Sequence, residues 1–482
     1  MKKKLKILFT SSEVHPFAKT GGLADVCSFL PLALKRLGHE VRVVMPKYKS
    51  ISKSFQPVRV DLKVPVGDKI KKAFLFRSRL QNKVPIYFIE NNSYFGRPQL
   101  YGNQHGDFPD NAERFIFFSR AILEFCESTG FCPDIIHCND WQTGLVPLYL
   151  KTHYQDNPFF SSTRSVFSIH NLGYQGNFLK ENLALANIPD KLFTPDGVEF
   201  YGRFSFLKAG LLFADILTTV SPSYCREIQT KENGFLMDGV LRLRSKDLHG
   251  VLNGVDETEW NPKNDSLIPS RYSAQDLSGK QKCRKELIQR FALDSHSNQP
   301  IVCMITRLSQ QKGIELIAGG LNEILNKGIN LIILGSGEQR LEDHFRKMNA
   351  KFPGQFAAHI GFDEKLAHQI LAGSDLFLMP SLYEPCGLTQ MYALKYGTVP
   401  LVRSVGGLRD SIKKYNAKNS QGTGFKFSQN TLKDLLLELA RALSVYKNKS
   451  SWKSLMINGM ETNNSWDNAA KKYLRLYLKA LQ

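Results

Sequence analysis

Two glycine turns share the pattern G-G-L-x-D and stand in different halves of the chain. The first is TGGLAD at residues 20–25, and the second is VGGLRD at residues 405–410. Each follows a short apolar run and precedes a stretch with helical spacing. A glycine pair between a strand and a helix lets the backbone approach an anion, to which the free amides can donate. The pattern predicts two anion-binding turns, although a plain tight turn remains open for each. The glycines concerned are Gly21, Gly22, Gly406 and Gly407.

A polar constellation follows two further apolar runs in the second half. Arg307 and Lys312 come after PIVCMIT, and Glu384 comes after DLFLMP. Two cations beside a helix start suit a diphosphate, and an acid at a strand end can bind sugar hydroxyls. Taken singly, the cations could be solvated surface charges, and Glu384 an acid that favours the following helix start. The backbone amides next in line for a phosphate are those of Gly387, Leu388 and Thr389.

Other motifs with known chemistry are missing from the sequence. There is no G-x-x-x-x-G-K-[ST] phosphate loop, and LGSGEQR lacks the third glycine of a dinucleotide fingerprint. Neither H-E-x-x-H nor D-x-D occurs. The sequence therefore predicts no metal and no cofactor.

Composition limits the class of protein. At 482 residues the chain is too long for one ordinary core, and no apolar run approaches the ~20 residues that span a bilayer. Eight cysteines lie scattered without paired spacing, which favours reduced thiols in a cytoplasm. The net charge of +20 is spread along the chain without a basic arm. It indicates a lysine-rich surface rather than a nucleic-acid interface.

The elements that must position these residues alternate along the chain. Apolar runs separated by helical patterns indicate β-α-β units with parallel sheets buried on both faces. Residues 58–90 are the exception, with three alternating strands that read as a local hairpin excursion. The first-half runs are LKILFTSS, EVRVVMP, VPIYFIE, DIIHCND, RSVFSIH and ILTTVS, and the second-half runs are HGVLNG, PIVCMIT, NLIILGSG, FAAHIGF, DLFLMPS and TVPLVRS.

So many strands exceed one open sheet, and two doubly wound domains are expected. We place the break near residue 245, which gives domains 1–245 and 246–457. A terminal helix within 458–482 is expected, with an apolar side at helical spacing. That side consists of Trp466, Ala470, Tyr473, Tyr477 and Leu481.

Taken together, these motifs resemble the bacterial and plant glycogen (starch) synthases, collinearly over nearly the whole chain. The resemblance rests on AKTGGLADV, HCNDWQTGL, SIHNLGYQGNF, LNGVDETEWNP, TRLSQQKG, PSLYEPCGLTQMYALKYGTVPLVR and VGGLRDS. It implies two Rossmann-like domains that face each other across a deep cleft, with the terminal helix packed back on the first. It also implies transfer of glucose from a nucleoside diphosphate glucose, mostly ADP-glucose in bacterial members, to the non-reducing 4-OH of an α-1,4-glucan, with retention and without metal.

The resemblance also implies roles for individual residues. Lys19 contacts the donor's phosphate and sugar, and Arg307 and Lys312 hold the diphosphate as it leaves. Glu384 orients the glucose hydroxyls and steadies an oxocarbenium-like centre. His170 contacts the sugar and carries its backbone carbonyl near the anomeric carbon. The further residues implied in the site are Asp140, Asn253, Phe362 (against the base) and Cys386 (beside the sugar).

Two positions depart from the family pattern. Phe362 stands where the family often has a tyrosine, and its ring face still serves for stacking. Val405 replaces a threonine before the second glycine turn. Exposed aromatics at Tyr94, Phe95 and Tyr101 are candidates for contact with the acceptor glucan.

Several alternatives remain open at this point. A UDP-glucose-using synthase, a non-catalytic glucan- or nucleotide-sugar-binding protein, and a pyridoxal-dependent glucan phosphorylase each fit part of the pattern. Because no second carboxylate is evident for a double displacement, we expect front-face transfer, in which the leaving phosphate takes the acceptor's proton.

Overall fold

The computed structural model describes residues 4–51, 55–104, 106–294 and 299–482. The described chain forms two compact units. Unit 1 comprises the residues up to Gly254 together with Trp466–Gln482, and unit 2 comprises Val255–Ser465. Each unit is built on a parallel sheet with helices between successive strands, so the predicted α/β class with two Rossmann-like units is confirmed.

Within the described part of unit 1, the strands form one large sheet and two small ones. From one edge to the other, the large sheet has the order β14-β13-β9-β8-β1-β2-β5-β4-β3. Every neighbouring pair from β14 to β5 is parallel, whereas β4 and β3 are antiparallel. The strands of unit 1 are β1 (Lys6–Thr10), β2 (Glu40–Pro46), β3 (Gln56–Val66), β4 (Lys69–Leu80), β5 (Val84–Glu90), β6 (Gly102–Asn103), β7 (Gly106–Asp107), β8 (Ile135–Asn139), β9 (Arg164–Ile169), β10 (Asn177–Phe178), β11 (Glu199–Phe200), β12 (Arg203–Ser205), β13 (Ile216–Thr219) and β14 (Leu248–Gly250).

The burial of these strands explains their composition. Every residue of β8 and of β13 is buried, as expected for strands covered on both faces. By contrast, β3 and β4 alternate between exposed and buried side chains, because one face is solvated. The predicted hairpin excursion of residues 58–90 is therefore confirmed as β3, β4 and β5.

One strand lies in a different unit from the one expected. The run HGVLNG, grouped above with the second half, forms β14 and pairs in parallel with β13 of unit 1. The hydrogen bonds of this pair keep the chain on the first sheet beyond residue 245. The compact units consequently divide after Gly254.

Helices cover the sheet of unit 1, and one of them comes from the far end of the chain. They are α1 (Gly22–Arg36), α2 (Asn92–Phe95), α3 (Asn111–Ser128), α4 (Leu145–Lys151), α5 (Asn182–Leu185), α6 (Phe206–Phe213), α7 (Pro222–Glu227), α8 (Asp238–Leu243) and, beyond unit 2, α18 (Trp466–Ala480). Helix α18 packs on α1 and β9. Its side chains Trp466, Ala470, Tyr473 and Tyr477 are buried, as their spacing predicts, whereas Leu481 lies past the helix end.

The described residues of unit 2 form a single sheet of order β17-β16-β15-β18-β19-β20, in which every pair is parallel. Leu331, Ile333, Leu376 and Leu401 contribute to its apolar core. The strands are β15 (Ile301–Ile305), β16 (Asn330–Gly335), β17 (Phe356–Ile360), β18 (Leu376–Met379), β19 (Val399–Arg403) and β20 (Phe425–Phe427). The helices are α9 (Ser278–Arg290), α10 (Ile314–Gly319), α11 (Leu321–Leu325), α12 (Gln339–Lys351), α13 (Glu364–Gly373), α14 (Thr389–Lys395), α15 (Gly406–Ser411), α16 (Leu432–Lys447) and α17 (Lys449–Met460).

The two sheets follow the same winding rule. Each begins in its middle, winds outward to one edge, and then returns to continue on the other side of its first strand. In such sheets ligands bind at the carboxyl ends of the strands next to the point of reversal. In the described part of the chain, no helix is long and apolar enough to cross a membrane.

Candidate active site

In unit 1, the residues singled out from the sequence follow the carboxyl ends of adjacent strands. Lys19 and Gly21 lie after β1, Asp140 after β8 and His170 after β9, and β1, β8 and β9 are neighbours in the sheet. This is the edge at which the winding reverses. The fold therefore brings these residues to one edge of the unit 1 sheet.

Glu13 is a buried acid in this edge that the sequence reasoning missed. Its side chain is 3% exposed, and Oε2 accepts a hydrogen bond from the Thr20 amide at 2.5 Å. Oε1 accepts from the Thr20 hydroxyl at 2.6 Å and from the Tyr101 hydroxyl at 2.8 Å. Glu13 thus fixes the residue that precedes the first glycine turn. In the sequence, the position of Glu13 just after the first apolar run was the signal that could have identified it.

The glycine turn itself leads directly into α1. Gly21 is the N-cap in extended conformation, and a side chain placed there would meet nothing within 4 Å. Gly22 is the first residue of the helix. Lys19 is paired with Asp25 of α1 at 2.7 Å, and the lysine side chain remains 42% exposed. The turn is therefore open on its outer side, with a cation beside it.

Asp140 has an unusual backbone that places its carboxylate under the His170 loop. The residue adopts φ 54 and ψ −179, a conformation that is costly for a residue with a side chain. Its carboxylate accepts the His170 amide at 2.7 Å and also bonds the Asn171 amide, and it makes no cap bond to its own helical turn. Burial raises the pKa of Asp140 to about 7, although these two amides act in the opposite direction.

His170 is held in one tautomer by Asn139. The Asn139 amide nitrogen donates to the carbonyl oxygens of Thr10 and His137, so its Oδ1 must act as an acceptor. His170 Nε2 lies 2.9 Å from that Oδ1 and therefore carries the proton, which leaves Nδ1 as an acceptor. Burial lowers the pKa of His170 to about 3, so the imidazole is neutral at physiological pH. It can orient a polar group but supplies no charge.

The other candidates in unit 1 differ in their burial and in whether their polar groups are already hydrogen-bonded. Asn253 follows β14 at the same edge, and its buried Oδ1 has no hydrogen-bond partner within the described residues. The aromatics expected to be exposed are not: Tyr94 and Phe95 are 5% and 0% exposed, because α2 packs them into unit 1. The hydroxyl of Tyr101 is taken by Glu13 and Ser12. The prediction that Tyr94 and Phe95 contact a glucan from the surface is wrong.

In unit 2, a buried ion pair joins two of the predicted residues. Lys312 Nζ lies 2.6 Å from Glu384 Oε2, and the two side chains are 14% and 6% exposed. The same carboxylate oxygen accepts the Ser381 hydroxyl at 3.0 Å. Lys312 ends the short helical turn after β15, and Glu384 follows β18, so the reversal between these neighbouring strands brings the pair together.

Two further candidates at this edge project into solvent. Arg307 is exposed, and its hydrogen bond with Gln311 is long, at 3.5 Å. Phe362, after β17, is 86% exposed, which makes its ring face available to a flat ligand. Neither side chain has a packing role that would explain its type.

The loop after β18 presents unused backbone donors. Cys386 is buried, and Gly387, Leu388 and Thr389 follow at the start of α14, half-buried. Within the described residues, the amides of these three have no hydrogen-bond acceptor. The loop is therefore able to receive an anion through its backbone.

The second glycine turn differs from the first. The Gly407 amide already donates to the Glu384 carbonyl at 2.9 Å. A side chain at Gly407 would come within 2.1 Å of the Cys386 carbonyl oxygen. Gly406 precedes it with φ 41. Glycine at 407 thus lets two loops approach each other, and its amide is not free for a phosphate.

The described part of the chain offers neither a metal centre nor a disulfide. Among the described residues, no group of three or more His, Cys, Asp or Glu side chains could hold a metal ion. All eight cysteines are free thiols, seven of them buried.

Two Rossmann-like units that gather cations, a buried acid and open amides at their sheet edges have the architecture of a glycosyltransferase of the GT-B class. Comparison with known proteins agrees. Residues 6–243 match the family described as starch synthase catalytic domain, and residues 285–471 match glycosyl transferases group 1. The chain belongs to the glycogen (starch) synthase family.

Individual relatives match along their whole length. The chain is 46% identical to a glycogen synthase of Syntrophotalea carbinolica over 99% of both sequences. It is 44% identical to a glycogen synthase of Thermosipho africanus, again over 99% of both. Among solved structures, the catalytic domain of starch synthase IV from Arabidopsis thaliana, bound to ADP and acarbose, superposes with a TM-score of 0.92 at 34% identity, covering 99% of this chain and 100% of that one. A sucrose-phosphate synthase from Thermosynechococcus elongatus shares the fold, with a TM-score of 0.62 at 17% identity.

Proposed function

We propose that this enzyme transfers glucose from ADP-glucose to the non-reducing 4-OH end of an α-1,4-glucan, with retention of configuration. The observation that carries the proposal is the buried Lys312–Glu384 pair beside the open amides of Gly387–Thr389. A cation, an acid and backbone donors at one sheet edge fit the diphosphate and the sugar of a nucleoside diphosphate glucose. The ADP in the starch synthase IV structure supports adenine as the base.

Each residue has a role in this reaction. Arg307 and Lys312 neutralise the diphosphate as the bond between it and the anomeric carbon breaks. Glu384 orients the glucose hydroxyls and offsets positive charge at that carbon. The neutral imidazole of His170 accepts a hydrogen bond from the sugar through Nδ1. Asp140 holds the backbone of the His170 loop in place through two amides.

The remaining predicted residues complete the donor site. Lys19, beside the open turn of Gly21 and Gly22, contacts phosphate and sugar. Phe362 stacks on the base, and Asn253 and Cys386 lie near the glucose. Gly406 and Gly407 shape the loop that carries Glu384. The proposal also places the enzyme in the cytoplasm, because its eight cysteines are free thiols, as is usual in a reducing compartment.

Retention proceeds by front-face transfer. The bond from the anomeric carbon to the diphosphate breaks and the bond to the acceptor's O4 forms on the same face of the sugar. The O4 proton passes to the departing phosphate oxygen, and the products are ADP and a glucan longer by one glucose. A glycosyl-enzyme adduct trapped with a slow donor would instead establish a double displacement.

A donor comparison tests the function. Purified protein is incubated with glycogen and either ADP-glucose or UDP-glucose, and the release of nucleoside diphosphate is followed. We expect turnover with ADP-glucose and loss of turnover in a Glu384→Ala control. Turnover with UDP-glucose alone would assign the other donor. Silence with both donors would favour the non-catalytic binding protein.

A further inference from the structure

Gln390 is a fully buried amide in the first turn of α14, and the proposed reaction gives it no role. Its side chain is 0% exposed. Its Nε2 lies 3.0 Å from the Cys386 carbonyl oxygen, 2.8 Å from the Gly387 carbonyl oxygen and 3.0 Å from the Ser411 hydroxyl. Two carbonyl acceptors fix the orientation of the amide, because the flipped group would set oxygen against oxygen.

These contacts connect two separate loops of unit 2. Cys386 and Gly387 belong to the loop after β18, which also carries Glu384. Ser411 ends α15, the helix that begins in the second glycine turn after β19. The Ser411 hydroxyl donates onward to the Gly407 carbonyl at 2.7 Å, and the Gly407 amide donates to the Glu384 carbonyl at 2.9 Å. Gln390, Ser411 and Gly407 therefore form a chain of hydrogen bonds that returns to the Glu384 loop.

The local geometry is built around this amide. Gly387 has φ +69, and a side chain on it would come within 2.4 Å of Gln390 Oε1. That oxygen is buried and has no hydrogen-bond partner within the described residues. A buried amide oxygen without a hydrogen-bond partner lowers the free energy of unfolding. The hydrogen bonds that Gln390 Nε2 donates must therefore compensate for the loss at Oε1. Because Oε1 is enclosed, Gln390 cannot touch a substrate without moving.

We infer that Gln390 is a positioning residue that braces the Glu384 loop against the second glycine turn and so holds the donor site in its reactive geometry. It acts through the backbone of Cys386 and Gly387 on the unused amides of Gly387–Thr389 and on Glu384. This inference rests on the proposed function, since the groups that it positions are those assigned to the donor.

The first test compares two buried neighbours on α14. Gln390→Leu removes the donor and keeps a similar volume, and Met391→Leu is the matched control, since Met391 is 1% exposed and outside the brace. We expect Gln390→Leu to lower kcat/KM for the donor by about 10- to 100-fold, as displacements of about 1 Å do at active sites. KM for the glucan should stay within about twofold, whereas Met391→Leu should leave both parameters near wild type.

The second test uses pH. Gln390→Glu keeps the shape of the side chain, but its carboxylate cannot donate to two carbonyl groups. Once protonated, the introduced carboxyl can donate one hydrogen bond, so the activity relative to wild type should rise as pH falls from 8 to 6. The Tm of Gln390→Glu is measured at both pH values, because a residue needed only for folding would change activity only where the variant is partly unfolded at the assay temperature.

The third test measures coupling. Ser411→Ala removes the Ser411 part of the brace and leaves Gln390 in place. If both residues act through one chain of hydrogen bonds, the effects of Ser411→Ala and Gln390→Leu on kcat should be less than additive in the double variant. This comparison also stands if Gln390→Leu alone folds poorly, because Ser411→Ala can be combined with Gln390→Glu.

Distinct results would overturn the inference. Wild-type activity in Gln390→Leu, a rise in KM for the glucan as large as the fall in kcat/KM for the donor, or a pH-independent Gln390→Glu would each overturn the brace and leave the proposed function intact. A wild-type protein that turns over neither donor would overturn the proposed function and the brace with it.

Discussion

Replacing Lys312 by methionine removes the cation of the buried pair and keeps the length of its stem. Among the described residues of the native protein, the Glu384 carboxylate has two partners, Lys312 at 2.6 Å and the Ser381 hydroxyl at 3.0 Å. Only 6% of the Glu384 side chain is exposed, so little water reaches the carboxylate in place of the ammonium group. Lys312→Met therefore leaves a buried carboxylate with a single neutral donor.

The expected cost follows from this burial. Breaking a buried ion pair by removal of one partner destabilises a protein by about 3–5 kcal/mol. A domain of about 150–250 residues loses about 2–4 °C of Tm per kcal/mol, so the transition of unit 2 should fall by about 6–20 °C. An unpaired buried carboxylate can discharge by binding a proton. The loss should therefore be largest at pH 8 and should shrink at pH 5.

Scanning calorimetry at the two pH values measures this, with two matched variants. Lys395→Met breaks another lysine–glutamate pair of unit 2, with Glu257 at 3.2 Å and 39% exposed, and should cost at most about 1 kcal/mol. The double variant Lys312→Met/Glu384→Gln leaves no buried charge and should recover most of the lost Tm. A Lys312→Met protein no less stable than Lys395→Met, or equally destabilised at both pH values, would refute the reasoning.

Three further predictions concern other parts of the molecule. The native pKa of Asp140, about 7, lies above its ordinary value of 3.8, so the folded protein binds this proton more tightly and loses stability as pH rises from about 4 to 7. Asp140→Asn should flatten that part of the stability–pH curve in urea titrations, and an unchanged curve would contradict the assignment. Tyr477→Phe removes one of the two side-chain hydrogen-bond partners of buried His137, the other being Ser168, and should cost about 1–3 kcal/mol in urea unfolding; a neutral change would mean that water replaces the hydroxyl. Phe362→Ala should raise KM for the nucleotide sugar by about 5- to 150-fold, the value of about 1–3 kcal/mol of stacking, without a change in Tm, since the ring is 86% exposed. A KM that does not change would exclude stacking on the base.

Much of the fold was predictable because its signal is local. A strand that is largely buried on both faces is mostly apolar, and EVRVVMP and VPIYFIE coincide with β2 and β5 to the residue. The short β14 was harder to assign, since its unit depends on pairing with β13 and not on its own composition. The antiparallel strands β10 to β12 were missed, because two or three residues are too few for a period.

The candidate site, like the fold, was predictable only where the signal in the sequence is local. Lys312 and Glu384 stood out as charged residues after apolar runs, and the fold pairs them. Glu13 and Gln390 were missed because their importance lies in partners distant along the chain or in the exact course of a loop. Burial was also misjudged for Tyr94 and Phe95, since spacing within a four-residue helix does not reveal what covers it.

The bond between Tyr477 and His137 has a consequence for the order of events on the ribosome. The two residues are 340 positions apart, with the whole of unit 2 encoded between them. At about 5–20 residues per second, about 17–68 s of translation separates them. Until unit 2 has been synthesised, His137 of the nascent first sheet therefore lacks this partner. The face of α1 that α18 covers in the finished protein is uncovered during the same interval. A polypeptide that stalls before residue 466 therefore leaves that face of α1 exposed for as long as it lasts.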